Sequence, residues 1–181
     1  MALFTGKGDD GKTLLLSAEE RVSKASCQTE VLGVLDEVNT LIGVCKAKSR
    51  NFTYTVNSSQ LADILEDIQQ DLFTIQAVTA GSPKSLNADR IEELEVVISG
   101  IEKELPPIKS FLLSGGTELS GLLDYARAVV RRAERVFVGC AGAGNIPEGI
   151  LKYLNRLSSL LYALVRFVNH VQDVEEVPPS Y

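Results

Sequence analysis

The sequence predicts an all-α fold: an antiparallel five-helix bundle preceded by an extended N-terminal phosphate-binding loop. Three observations carry that expectation. Five long segments repeat apolar residues at three- and four-residue spacing. Helix-stopping residues fall between those segments. The first dozen residues are polar and glycine-rich, too short and too hydrophilic to supply a buried strand. Composition sets the bounds. The chain has 181 residues, 45% hydrophobic and 23% charged, which suits one soluble domain spanning 1–181.

Residues 1–27 form the N-terminal loop, 28–171 the bundle, and 172–181 an acidic, proline-bearing tail expected to be loose. The first helix spans about 29–48, with Val31, Leu35, Val38, Ile42 and Cys45 in phase. Residues 49–57 follow; Phe52, Tyr54 and Val56 alternate faintly, but the stretch reads as loop. The second helix spans about 58–80 on Leu61, Ile64, Leu65, Ile68, Leu72 and Ile75. The third, 88–105, follows a capping Asn87 and stops at Pro106-Pro107. The fourth, 117–138, follows Gly115-Gly116 with Thr117 as its N-cap. A Gly/Ala turn over 139–145 and Pro147 introduce the fifth, 147–171, rich in leucine. Short connections between long helices make neighbours antiparallel.

Charge and cysteine usage narrow the function. Eighteen Lys and Arg stand against 24 Asp and Glu, a net charge of −6, which argues against nucleic-acid binding but leaves room for a local anion site. No secretory leader, Arg-rich presequence or bilayer-length apolar run is read. Cys27, Cys45 and Cys140 are odd in number and form no CxxC pair, so a reducing, cytoplasmic compartment is expected. His170, the single histidine, follows the apolar fifth segment and reads as a helix-end residue. A histidine-rich metal site and a Ser-His-Asp triad both lack their residues, and no residue is assigned as a metal ligand.

Phosphate chemistry concentrates in two places. Gly6-x-x-x-x-Gly11-Lys12-Thr13 satisfies the Walker A spelling, and glycine-rich backbone with a lysine and a hydroxyl suits a polyphosphate. A true P-loop follows a buried strand and opens a helix in a parallel sheet. Neither neighbour is present, so the loop reads as a triphosphate wrap outside that fold. The second place is Arg127 to Arg135 on the fourth helix. At about 100° per residue, Arg127, Arg131 and Glu134 fall within roughly 60° of one another. Arg135 lies beside that stripe and Arg132 points further away. Arginine grips phosphate in a bidentate manner, whereas an ordinary solvated charged face would have the same spelling. Asp36 sits in the apolar first helix and calls for a partner, for which a fourth-helix arginine is the natural choice. Asn155 in the fifth helix is either a satisfied core amide or a ligand contact.

Seven stretches in this order resemble the PduO-type family of ATP:cob(I)alamin adenosyltransferases. They are Thr5 with Gly8-Asp9-Asp10-Gly11-x-Thr13, Glu20 to Lys24, Leu35 to Asn39, Ile68 to Phe73, Lys109 to Gly116, Ala126 to Arg135, and Tyr153 to Ser158. The resemblance implies a homotrimer with active sites between subunits. It implies attack by the reduced cobalt of a corrinoid on the 5′ carbon of ATP, with magnesium accompanying the triphosphate. It places Thr5, Gly6, Lys7, Gly8, Thr13 and Lys24 around ATP. Arg131, Arg132, Glu134, Arg135 and Asn155 would hold ATP from the helices. Asp36 and Arg127 match a subunit-joining salt bridge. Phe111 matches the aromatic residue that closes the lower face of the corrin, although by its own surroundings it reads as a staple after a proline turn. Arg131, Asp36, Arg127 and Phe111 form the expected catalytic group, and a corrinoid reductase is an expected partner.

The sequence departs from the family at three points. Gly6 and Lys7 stand where the family usually has Lys or Arg and then Thr. The 12–19 stretch is one residue longer, and Ser159 replaces an acid. Two other functions are compatible with parts of the sequence: a P-loop ATPase or kinase, and a non-catalytic ATP- or corrinoid-binding module.

Overall fold

A computed structural model describes residues 3–16, 18–140 and 148–180. Its elements in chain order are β1 (Lys12–Thr13), β2 (Val22–Ser23), α1 (Cys27–Ser49), β3 (Thr55–Val56), β4 (Ser59–Gln60), α2 (Leu61–Thr79), α3 (Asp89–Glu104), α4 (Glu118–Cys140) and α5 (Glu148–Val171). The five expected helices are all present. Residues 139 and 140, expected in a turn, extend α4; the rest of that turn and Pro147 lie outside the described residues.

At the starts of α1, α3 and α4 a side chain replaces missing backbone bonds. Ser26 Oγ accepts from the Thr29 amide at α1. Asn87 Oδ1 accepts from the Asp89 amide at 3.2 Å. At α4 the cap is reciprocal: Thr117 Oγ1 accepts from the Ser120 amide at 3.1 Å, and Ser120 Oγ accepts from the Thr117 amide at 2.7 Å. The α3 helix ends at Glu104, and Leu105 is extended before the two prolines, as the pre-proline clash requires.

The helices pack in the order α2–α1–α4–α5–α3. Contacts at both ends of α1 make its neighbours antiparallel. Cys27 at its start meets Cys140 at the end of α4, and Lys48 at its end pairs with Glu118 at the start of α4, 2.7 Å away. Gln28 likewise donates to the carbonyl of Thr79 at the end of α2, at 2.6 Å. The core is the predicted set of apolar stripes: Leu35, Val38 and Ile42, Leu65, Leu72 and Ile75, Leu123, Ala126 and Val130, with Leu154, Leu157, Leu161 and Leu164, all buried. One polar cluster sits among them. The buried Asp71 accepts from the Tyr153 hydroxyl at 2.8 Å and from Arg90 Nε at 2.9 Å, tying α2 to α5 and α3.

The 49–57 stretch differs from its reading as loop. The strands β3 and β4 pair antiparallel through Thr55–Gln60 and Val56–Ser59. Asn57 and Ser58 both have positive φ between them, the two-residue hairpin turn that strand twist favours. The faint alternation does not survive as a face: Phe52 and Val56 are buried and Tyr54 is exposed, where a strand would put all three on one side, and the pairing is confined to Thr55 and Val56. Its tip packs on α3, with the Asn57 amide seated against Gly100, where a Cβ would force that side chain aside.

The cysteines also differ from expectation. Cys27 and Cys140 are joined in a disulfide with Cα atoms 5.7 Å apart, across 113 residues. Spacing in sequence gave no sign of it, because the antiparallel packing of α1 on α4 creates the proximity. Cys45 is the free, buried thiol. The tail is also tied down where looseness was expected. The Leu113 amide donates to the Val177 carbonyl at 2.8 Å, and Arg166 pairs with Glu176 at 3.0 Å.

Candidate active site

The N-terminal loop is a closed cradle. Gly6 and Gly11 have φ of 67° and 74°, conformations that glycine adopts without strain. Turns close at Asp9 amide to Gly6 carbonyl and Gly11 amide to Gly8 carbonyl, 3.2 Å each. The strands β1 and β2 pair Lys12 with Ser23 and Thr13 with Val22, so the loop returns on itself. The described strands form only these two-residue antiparallel pairs. Among the described residues there is no parallel sheet for a P-loop.

Arg21 organises this loop, a role that sequence reading missed. Its guanidinium donates to both carboxylate oxygens of Asp10, to the Lys12 carbonyl at 2.8 Å and to the Lys7 carbonyl. The same contact holds the Asp10 carboxyl below its ordinary pKa, chiefly through the Arg21 hydrogen bond. Lys24 adds a second tie, Nζ to the Gly8 carbonyl at 2.8 Å. Thr5, Gly6 and Lys7 are exposed along the cradle, and Thr13 is half-buried.

The arginines of α4 divide by their partners. Arg127 Nε is 2.5 Å from Asp124 Oδ1, and its guanidinium lies 5.9 Å from the centre of the Tyr162 ring. Asp124 is buried and also accepts from Ser114 Oγ. Arg132 pairs with Glu37 of α1. Arg135 donates to the Arg131 carbonyl at 2.9 Å. Arg131 is exposed and, among the described residues, has no acidic partner. Asn155 is also exposed, and its Nδ2 donates to Glu134 Oε1 at 3.1 Å, bridging α5 to α4. That removes the core-amide reading.

The expected pairing of Asp36 with a fourth-helix arginine is not made within the chain. The α1 face that turns inward carries Val34, Leu35 and Val38, which leaves both Asp36 and Glu37 outside. Glu37 takes the arginine, and Asp36 has no ion pair among the described residues. Asp124, three residues before Arg127, is the acid that sequence reading overlooked, because attention to α1 hid the nearer partner at i−3.

Phe111, Arg127 and Arg131 line one cleft of about 710 Å³, with Lys109, Ser159 and Tyr162. Phe111 is 82% exposed, on the loop between α3 and α4. An exposed ring beside cations makes a surface that is apolar on one side and anion-binding on the other. No hydrogen bond or ion pair among the described residues joins the 5–13 cradle to α4; the Cys27–Cys140 disulfide links the cradle's base to the end of that helix.

The described residues thus set a glycine-rich cradle, and a cleft lined by arginines and an exposed phenylalanine, on a helical bundle distinct from P-loop folds. The chain belongs to the cobalamin adenosyltransferase family, whose model matches residues 3–168. It is 34% identical over 177 residues to the corrinoid adenosyltransferase PduO of Citrobacter freundii, covering 94% of this chain and 50% of that protein. The chain thus spans about half the length of the PduO relatives it matches. It is 38% identical over 184 residues to the corrinoid adenosyltransferase of Mycobacterium tuberculosis, covering 95% and 91%. Variants of the PduO-type ATP:corrinoid adenosyltransferase from Lactobacillus reuteri superpose on it. One is complexed with ATP (TM-score 0.86, 27% identity, 98% and 100% coverage) and one with cobalamin and ATP (TM-score 0.86, 27%, 98% and 96%).

Proposed function

We propose that the chain transfers the 5′-deoxyadenosyl group of ATP to the cobalt of cob(I)alamin, giving adenosylcobalamin and triphosphate. The observation that carries this reading is the single cleft shared by Phe111, Arg127 and Arg131, with Arg131 a cation that has no acidic partner among the described residues. The Lactobacillus reuteri neighbour that binds cobalamin and ATP together supports it.

In this reaction the substrate's cobalt(I) supplies the electron pair. A cobalt–carbon bond forms, the C5′–oxygen bond breaks, and its electron pair leaves on triphosphate. No proton needs to move, so the absence of a placed histidine, serine or cysteine base is consistent with the chemistry. The chain must orient two substrates, stabilise the departing charge and keep water out. The cradle's backbone amides and lysines suit the triphosphate, and Arg21 preorganises them through Asp10. Arg131 meets the charge that develops on the leaving oxygen, with Arg132 and Arg135 on the same helix and Asn155 fixing Glu134 beside them. Phe111 offers the corrin's lower face a group that cannot coordinate cobalt.

Magnesium fits as a companion of ATP rather than a resident ion. Among the described residues no group of three or more His, Cys, Asp or Glu could hold a metal. Magnesium keeps water and phosphate oxygens as ligands, to which the chain can add the Thr13 hydroxyl and the Asp9 carboxylate.

Two features support a homotrimer with sites between subunits. Among the described residues Asp36 has no ion pair, and no hydrogen bond or ion pair joins the 5–13 cradle to α4 of its own chain; a neighbouring subunit would meet both needs. A corrinoid reductase would supply cobalt(I). Cobalt(I) survives only under reducing conditions, which supports a cytoplasmic setting, whereas the Cys27–Cys140 disulfide is of a kind commoner in oxidising compartments.

The test is an anaerobic assay with ATP, magnesium and chemically reduced cob(I)alamin. Conversion of its visible spectrum to that of adenosylcobalamin is expected; ATP and corrinoid bound without conversion would replace the enzyme reading with that of a carrier.

A further inference from the structure

The loop that carries Phe111 is anchored only at its ends. No hydrogen bond among the described residues reaches residues 107–112, so the ring's position depends on where residues 106, 113 and 114 are held. Arg166 of α5 donates to the Pro106 carbonyl at 2.9 Å through one nitrogen and pairs with Glu176 of the tail at 3.0 Å through Nε. One residue further along the tail, the Val177 carbonyl accepts from the Leu113 amide at 2.8 Å. Ser114 then donates to Asp124, which holds Arg127.

Arg166 is 8% exposed, and a guanidinium so buried keeps a fixed direction because its donors are committed. Behind the loop lies a second cavity of about 370 Å³ lined by Pro106, Pro107, Arg166, His170 and Glu176. Ile108, Lys109, Ser110 and Leu112 line both this cavity and the Phe111 cleft. The loop is therefore a partition with open space on each side, and packing alone does not fix it.

We propose that Arg166 is a positioning residue for the Phe111 loop, clasping its start directly and its end through Glu176 and the tail. The inference rests on the adenosyltransferase reading and on Phe111 lying beneath the corrin. It gives the tail a function: setting how closely an apolar ring approaches the face from which cobalt(II) must lose its axial ligand before reduction.

The experiment uses the full chain with Glu176→Gln and, separately, Arg166→Met. Two quantities are read: hydrogen exchange at the Leu113 amide in the protein alone, and the ratio of adenosylation rates from cob(II)alamin with a chemical reductant and from pre-reduced cob(I)alamin. Loss of a charge-assisted clasp should speed Leu113 exchange by about tenfold or more and lower the rate ratio by about tenfold, with exchange in α1 and α2 unchanged. Unchanged Leu113 exchange, or faster exchange with an unchanged rate ratio, would overturn the proposal. Should Arg166→Met not fold, Glu176→Gln carries the test, since the Glu176 side chain is 20% exposed and only its charge is removed. A wild-type protein that adenosylates neither corrinoid would defeat the functional reading itself, and Leu113 exchange would still decide whether the clasp exists.

Discussion

Arg131 and Phe111 separate the two demands of the chemistry. Removing a preorganised cation from developing negative charge typically costs about 10²–10³ in rate. Arg131→Ala should therefore lower kcat by that order while the helical circular-dichroism signal stays unchanged; near-normal turnover would remove Arg131 from its role. Phe111→Ala should act differently. It takes away the group that disfavours axial ligation, so turnover from cob(II)alamin should fall much more than turnover from pre-reduced cob(I)alamin. Equal losses on the two substrates would count against a lower-face role. Arg131 stood out in the sequence by its spacing, and Phe111 by the resemblance alone. Their partners were less legible. Arg21, Asp124 and Ser114 act through contacts that depend on how the loops close. Asp36 meets no arginine of its own chain among the described residues, because one residue of helical phase decides between core and solvent and leaves it outside.

The helices were legible nearly to the residue, because each buries a periodic stripe and stops at a cap, glycine or proline. The β3–β4 hairpin and the disulfide were not: the first is too short for a period to stand out, and the second joins residues brought together only by packing α1 against α4. A thiol titration checks that pairing. Burial pushes the Cys45 thiol up to about 11, so at neutral pH it is protonated as well as inaccessible. Native oxidised protein should show no reactive thiol, unfolded protein one, and reduced unfolded protein all three. Two or more reactive thiols in unfolded, unreduced protein would contradict the disulfide.

The polar cluster between α2, α3 and α5 makes a pH prediction. Burial raises the Asp71 carboxyl above its ordinary 3.8, outweighing the lowering by Tyr153 and Arg90. The folded state then binds the proton more readily than the unfolded state. This group's contribution favours folding most below 3.8 and declines as pH rises through the raised value. The stability difference between wild type and Asp71→Asn, from urea unfolding at several pH values, should shift against the wild type over that window and level off above it. A difference independent of pH would show that Asp71 is not perturbed.

At the scale of the whole molecule, the proposed site is divided between a cradle and a helix that no hydrogen bond or ion pair among the described residues joins. The glycine-rich stretch spells a P-loop, yet its surroundings are helical and its strands are two-residue antiparallel pairs. The two readings differ in which bond of ATP breaks. A P-loop enzyme releases ADP or phosphate, whereas attack at C5′ releases the whole triphosphate. The most direct measurement is therefore the stoichiometry of phosphorus products in an anaerobic turnover with ATP and cob(I)alamin, resolved by ³¹P NMR. One inorganic triphosphate per adenosylcobalamin formed, with no ADP, is the predicted result. ADP and phosphate as the products, or ATP left intact by folded protein, would contradict the account.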